Sequence, residues 1–590
     1  MISAPAPVLP RCGPSGAGRA VPDRSGPCSG GIRSGPCPRH RGCAAFFRPG
    51  HRQHQHPHHQ PACRFRLQQP GRGRHAPCPA AVPRQQLFGR TGHAGPWRRQ
   101  VHRGDRHARS RDLALGCGRR RGERPGHAAR GCPAGCRPRH GLTGDRRDFP
   151  ILMDRDGTYL RFKLDAFSLY YGNGNAWYGR PDLMLAGNPL MQGKAAGRGY
   201  DHWAEAYLHY GFYGITPLGE GLSFYGGLSA MTTWSQGQEL FTDKTRSHTQ
   251  VEDAYLGIVG GHVDGRGNRL VFNLTAGRQR FTLANGFLIA NTAANGGERA
   301  ALQANARWSS DLLVLGQIAY NDVKLEAFYL DPDELPLLDT DTRIGSLNLE
   351  ATPLSRLSLG ASYLAVPKSG ANYFGPDGSV AGSRERLRVH DLRLAYQPNP
   401  AGASGPFFGA EIARQTNRNF DMDARAGWAE LGYHFADARW APTISYRVSY
   451  FSGDDPTTSA YERWDPLLSG GAGEQWVQGV NHFKVVQDSN VVAHRIQARF
   501  KMSPRIEVVP QLWAFRADEL NTIGGNPALS VLSDDELGYE ANVTVKWLKS
   551  KNTYIHGHVA YTVPGSAAKA ALGGSARDWL SVMAFVRYAF

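Results

Sequence analysis

From about residue 150 to Phe590 the chain alternates between apolar and polar side chains. Over 539–547, Tyr539, Ala541, Val543, Val545 and Trp547 interleave with Glu540, Asn542, Thr544 and Lys546. The same period of two runs through 160–166, 427–435, 443–450 and 495–501. A period of two predicts β-strands, whose successive side chains point to opposite faces. The polar face carries charges at close intervals: Arg161, Lys163 and Asp165 in one segment, Arg495, Arg499 and Lys501 in another. A dry sandwich core would not hold such rows, because buried charges must be paired. A wet lumen would. The pattern therefore predicts an all-β fold, a transmembrane antiparallel β-barrel over residues 151–590 with lipid outside and water inside.

Turn-forming clusters separate the alternating segments, at Asp331-Pro332-Asp333, 375–378, Pro398-Asn399-Pro400 and 524–527. Short and long connections mix, as in barrels with tight turns at one end and longer loops at the other. The longest polar stretch, 453–480, is a candidate outer loop or pore constriction. Tyr170, Tyr171, Trp547, Tyr588 and Phe590 lie near strand ends and read as aromatic girdles. At roughly 24 residues per strand and connection, the segment holds about 16–18 strands, enough to enclose a channel. At the C-terminus, Val582, Ala584, Val586, Tyr588 and Phe590 form one apolar face. A terminal Phe on such a strand looks like a signal read by the barrel assembly machinery.

Composition divides the chain at the same boundary. Residues 1–150 hold all nine cysteines, 29 of the 69 basic residues and six of the 50 acidic ones. Their net charge is +23 and that of 151–590 is −4, so the basic balance says nothing about the barrel and gives no reason to expect nucleic acid. They contain no Lys, Asn or Tyr and are rich in Arg, Pro, Gly, Ala, His and Cys. This composition reads as a GC-rich gene translated in the wrong frame or from a false start. A disordered basic arm is the alternative. The opening residues lack a readable secretory signal; a frame error would place the true signal within this region. The run containing His54, His56, His58 and His59 offers loose metal binding at most, and the pair Cys132 and Cys136 has no second pair at zinc-site spacing; both read as compositional accidents, so no metal or cofactor is expected.

Elsewhere, no P-loop or dinucleotide fingerprint appears, and no apolar run reaches the ~18–20 residues of a membrane helix. Asn481-His482 is a weak basis for a lipase-like site, since a triad is recognised by geometry. Asp454, Asp455 and Asp465 lack a calcium-loop spacing and read as a solvated acidic loop. No catalytic residue is assigned.

Several stretches resemble, in order along most of residues 155–590, the alginate-export family of outer-membrane porins. They are Gly277-Arg278-Gln279-Arg280 with Gly286-Phe287-Leu288, Ser445-Tyr446-Arg447 leading into Phe451-Ser452-Gly453-Asp454-Asp455, Leu537-Gly538-Tyr539-Glu540, and the terminal strand. The resemblance implies a barrel that passes anionic polysaccharide through an arginine-lined channel, with Arg278 and Arg280 sharing its lining face. Periodicity alone places Arg161, Lys163, Arg447, Arg495, Arg499 and Lys501 inward, with Asp165, Glu411, Glu430 and Glu540 as acidic partners on the same wall. The expected function is a porin-type channel of a Gram-negative outer membrane for hydrophilic, anionic solutes such as sugar acids. A non-selective diffusion porin and a barrel enzyme acting on lipid are the alternatives; the latter needs only about 8–12 strands.

Overall fold

The computed structural model describes residues 151–590 apart from 178–198, 238–244, 376–378, 401, 471–477, 521–531, 572–573 and 575. The expectations for residues 1–150, and the turn at 524–527, lie outside the described residues.

The alternating segments become strands. They are β1 (Ile151–Arg155), β2 (Thr158–Gly174), β3 (Tyr200–Gly219), β4 (Leu222–Gly237), β5 (Arg246–Val263), β6 (Arg269–Arg278) and β7 (Leu312–Tyr320). Next come β8 (Val323–Asp331), β9 (Arg343–Leu354), β10 (Leu357–Lys368) and a small loop hairpin, β11 (Asn372–Phe374) with β12 (Val380–Ser383). The sheet resumes with β13 (Leu387–Tyr396), β14 (Gly405–Asn417), β15 (Asp423–His434), β16 (Thr443–Phe451) and β17 (Val491–Ser503). It ends with β18 (Ile506–Arg516), β19 (Glu536–Leu548), β20 (Thr553–Pro564) and β21 (Trp579–Ala589).

Each barrel strand pairs antiparallel with its sequence neighbours, and β21 returns to pair with β2 from Asp165↔Ala589 to Gly174↔Leu580. Eighteen strands close this way, within the expected range. The terminal residue completes the seam: Phe590 N–H donates to the Leu164 carbonyl at 2.8 Å, and Leu164 N–H donates back at 3.1 Å. Beyond it, β1 covers the rest of the β2 edge through Ile151↔Arg161 and Arg155↔Thr158. Closure leaves no row of unpaired backbone groups facing hydrocarbon, the condition for a strand to cross a membrane.

Burial is inverted relative to a water-soluble fold. Ile496 is 55% exposed and its neighbour Arg495 1%. In β19 the apolar Tyr539, Ala541, Val543, Val545 and Trp547 are exposed, while Glu540, Asn542, Thr544 and Lys546 are buried. A charge on the lipid face costs about 2–4 kcal/mol at mid-membrane; this arrangement avoids that cost. Tyr170 is exposed as a girdle residue but Tyr171 is fully buried. That expectation is corrected by the pleat itself, since adjacent residues cannot both face lipid. Connections alternate in length. Turns such as Glu220-Gly221, Asn321-Asp322 and Pro504-Arg505 lie at the end holding Phe590, and long connections such as 279–311 and 452–490 at the other.

Candidate functional site

Strand register builds a row across one side of the lumen. Glu430 lies opposite Arg447, Arg447 opposite Arg495, Arg495 opposite Trp513, Trp513 opposite Glu540, and Glu540 opposite Thr562. Directly paired residues project to the same face, so one residue from each of six strands meets at one height. Arg495 donates to Glu430 Oε1 at 2.8 Å. The guanidinium carbons of Arg447 and Arg495 lie 5.5 and 5.7 Å from the Trp513 ring centroid, within cation–π range. Arg447 also reaches Gln478 Oε1 at 3.4 Å.

Two long connections fold inward over this wall, and wall carboxylates hold them by their backbone amides. Glu540 accepts from the N–H groups of Val480, Asn481 and His482 at 2.6, 3.0 and 3.1 Å, just ahead of the short helix Phe483–Val486. Its expected role as an arginine partner gives way to that of a loop anchor. Glu411 instead accepts from the Asn285 side-chain amide, its tie to the 279–311 connection, and from Nε1 of Trp428 in β15 at 2.9 Å. Glu205 takes the amides of Gln303 and Ala304 at 3.0 and 2.6 Å. Glu252 takes those of Trp308 and Ser309 at 2.9 and 3.2 Å. The two connections meet across the lumen, where Ala290 N–H donates to Leu468 O at 2.8 Å and Leu468 N–H to Leu288 O at 3.2 Å. Over its described residues the stretch 453–480 divides: Pro456 to Ser459 are exposed, whereas Trp464, Leu467 and Ser469 are buried where the chain turns inward.

A second charged group lines β2 to β6. Lys163 Nζ lies 2.9 Å from His209 Nδ1, and His209 Nε2 lies 2.9 Å from Ser229 Oγ and 3.3 Å from Asp253. Tyr213 and Ser309 donate to Asp253 at 2.6 and 2.9 Å. Arg280 is a charge neighbour of Lys163, Glu252 and Asp253. Asp165 pairs with Arg587, with Nε at 2.8 Å from Oδ1. Arg278 behaves differently. Gly277 has φ +127°, and a Cβ there would lie 2.6 Å from the Ala254 carbonyl. The strand ends at that kink, so alternation no longer sets direction. Arg278 bonds Asp311 and Asp333, and Asp333 also takes Arg299, at 2.8 Å, and Arg307. Arg278 is therefore held by Asp311 and Asp333 while Arg280 lies nearer Lys163 and Asp253, with Glu252 a charge neighbour of both and Arg307 joining Glu252 to Asp333.

Of the remaining candidates, Arg161 is buried on the inner face of β2. Arg499 lies 3.6 Å from Glu507. Lys501 is exposed near the short-turn end. Asp465 leaves the solvated acidic loop: it is buried and takes Arg384 Nε and the Tyr373 hydroxyl at 2.7 Å each. Asp454 and Asp455 line an outer cavity of about 280 Å³ with Asp421 and Tyr461. Asn481 is bound to Thr562 Oγ1 at 3.0 Å and Ser581 Oγ at 2.7 Å, which makes Asn481-His482 part of the loop anchorage. Asp488, in the same connection, accepts from Ser469 at 3.1 Å, and burial pushes its carboxyl up to about 7.

Sequence reasoning misses Glu205, Glu252, Asp253, Asp333 and Arg307. Glu252 and Asp253 both face inward because the β4–β5 register shifts there, which breaks alternation. Only the Asp-Pro-Asp turn signal marked the vicinity of Asp333.

No curated protein matches the sequence. Among solved structures, the chain is similar to Pseudomonas aeruginosa OccK5 (OpdH), at 11% identity and a TM-score of 0.42 over 73% of this chain and 98% of that one. It is similar to OpdQ of the same organism, at 10% and 0.44 over 73% and 97%, and to its OprD, at 12% and 0.42 over 76% and 98%. The family model described as alginate export matches residues 229–580. That span runs from β4 to β21 and includes both infolded connections and the Glu430–Glu540 row. The chain belongs to the alginate export family, and its barrel is an outer-membrane porin-type channel.

Proposed function

We propose that this barrel is a channel of a Gram-negative outer membrane for hydrophilic, anionic solutes, either sugar acids or an anionic polysaccharide such as alginate. The observation that carries the reading is the Arg447–Arg495 pair. Two guanidinium groups from adjacent strands face one aromatic ring on the lumen wall, and the ion pair to Glu430 is made by Arg495. Like charges held side by side repel, and an anion entering between them relieves that repulsion. Basic side chains in a narrow pore favour anions for the same reason. Asp165 on Arg587 and Glu430 on Arg495 lower the net field, so the preference is modest rather than strict. We further propose that Phe590 is presented to the barrel assembly machinery.

Single-channel recording in a planar bilayer under a salt gradient tests the reading. The wild-type reversal potential should lie on the anion side, and Arg280→Glu with Arg447→Glu should move it toward cations. A reversal potential indifferent to both changes would leave a non-selective diffusion porin.

A further inference from the structure

The lipid-facing side of the barrel is uneven at the long-connection end. On β2 and β4 its outward positions there include the exposed aromatics Tyr170 and Trp234. On β13 to β15 they are basic. Leu387, Val389 and Asp391 are buried toward the lumen, so Arg388 and His390 face outward. The same alternation turns Arg414 outward between the buried Ala413 and Gln415, and Arg425 outward between the buried Ala424 and Ala426. Register sets His390 opposite Arg414 and Arg414 opposite Arg425. Three neighbouring strands therefore present one row of basic side chains to the outside. Arg386, just before β13, and Arg418, just after β14, are exposed at the ends of the same strands.

The protein neutralises this row only in part. Arg414 and Arg425 share one carboxylate, Asp423, at 2.6 and 2.7 Å, and their side chains remain 59% and 65% exposed. Arg386, Arg388 and Arg418 have no carboxylate partner among the described residues. Glu385 and Asp421 are the other acidic residues at these strand ends, so five arginines stand against three carboxylates, an excess of two positive charges. Like charges directly opposite across strands destabilise a sheet, and an anion bridging them removes that cost. The height of the row is that of the membrane boundary. Eight residues separate Arg388 from Tyr396 at the other end of β13, about 27 Å along the strand. At a tilt of about 40° this is about 20 Å of depth, close to the ~25 Å apolar band of such barrels. Leu392, Ile412 and Leu431, on the same face nearer the short turns, are exposed and belong to that band.

We propose that the outer face of β13 to β15 binds the phosphate groups of a phosphorylated glycolipid in the outer leaflet. A guanidinium fork matches phosphate oxygens bidentately, and basic clusters at a membrane boundary recognise anionic headgroups. The acyl chains of the same lipid lie along Leu392, Ile412 and Leu431, a contact that free phosphate cannot make. The site rests on the outer-membrane placement of the barrel and is independent of which solute the pore passes.

The test places the full chain in phosphatidylcholine vesicles containing either diphosphorylated lipid A or its phosphate-free form. Lipids retained by the barrel after detergent release are counted by native mass spectrometry. Wild type should retain the diphosphorylated form at least about tenfold more often than the phosphate-free one. Arg388→Gln, Arg414→Gln and Arg425→Gln combined should weaken that retention about a hundredfold. The charge-matched control, Arg266→Gln with Arg269→Gln and Arg439→Gln at the short-turn end, should change it less than about twofold. Heat-dependent gel mobility confirms that each variant is folded. Inorganic phosphate added to the vesicles should not displace the lipid. Equal retention of the two lipids, displacement by inorganic phosphate, or a loss that is absent from the outer-face variant or equal in the control would overturn the site. A lipid-free pair of barrels that the outer-face variant separates would also overturn it and assign the face to a second copy of the chain.

Discussion

Removing the Glu540 carboxylate should release the 452–490 connection from the wall without unfolding the barrel. Glu540 is 2% exposed and takes three successive backbone amides at 2.6, 3.0 and 3.1 Å. Hydrogen bonds to a charged group contribute about 1.5–3 kcal/mol each. Water replaces part of that once the loop lifts, so Glu540→Ala should cost the docked loop about 4 kcal/mol. At 1.4 kcal/mol per tenfold, the undocked population rises roughly a thousandfold. Glu540→Gln keeps one carbonyl acceptor and loses the charge; it should cost about 1–2 kcal/mol, or roughly tenfold. Gly479→Ala offers an independent route. Its φ is +76°, and the new Cβ would meet Phe515 Cζ and Glu540 Oε2 at 2.9 Å. The assay is single-channel recording, with heat-dependent gel mobility reporting the intact barrel. Open-level current noise should rise in the order wild type, Glu540→Gln, Glu540→Ala, with Gly479→Ala also above wild type. Recordings of Glu540→Ala that match wild type in noise and mean conductance would refute the anchor.

Asp333 binds Arg278, Arg299 and Arg307; Asp333→Ala should leave three cations without their shared carboxylate and cost about 3–5 kcal/mol, seen as protease cleavage within 279–311 on folded barrels. Deleting Phe590 removes the reciprocal pair with Leu164 that completes the seam; folded barrel per unit of translated chain should fall severalfold, and an unchanged yield would dismiss the assembly-signal proposal. Asp488 titrates near 7 when the loop is docked, with Arg447 as its charged neighbour. A raised carboxyl favours the docked loop at low pH and loses that contribution as pH rises from the ordinary carboxyl range toward 7. Loop noise should therefore be greater at pH 8 than at pH 5, and Asp488→Asn should remove the difference.

The wall was legible in the order of residues alone. Alternation is a local property, because the pleat sends neighbours to opposite faces whatever surrounds them. Arg447, Arg495 and Glu540 therefore had to face away from Tyr446, Ile496 and Tyr539 once the latter faced lipid. Barrel size followed from the summed length of strands and connections. What the wall meets depends on the folded chain. No local pattern shows that a polar connection turns into the lumen, since amides at 480–482 can bond water as well as a carboxylate. The roles of Glu411 and Glu540 as anchors arise only when closure brings each strand residue to a different connection, 126 residues away for Asn285 and 59 for Asn481. Alternation also fails wherever its physical basis does. A kink at Gly277 sends Arg278 to Asp333, and a register shift turns Glu252 and Asp253 to one side. Period two sorts residues between faces of a regular strand; which inner groups touch depends on closure, register and the loops that closure encloses.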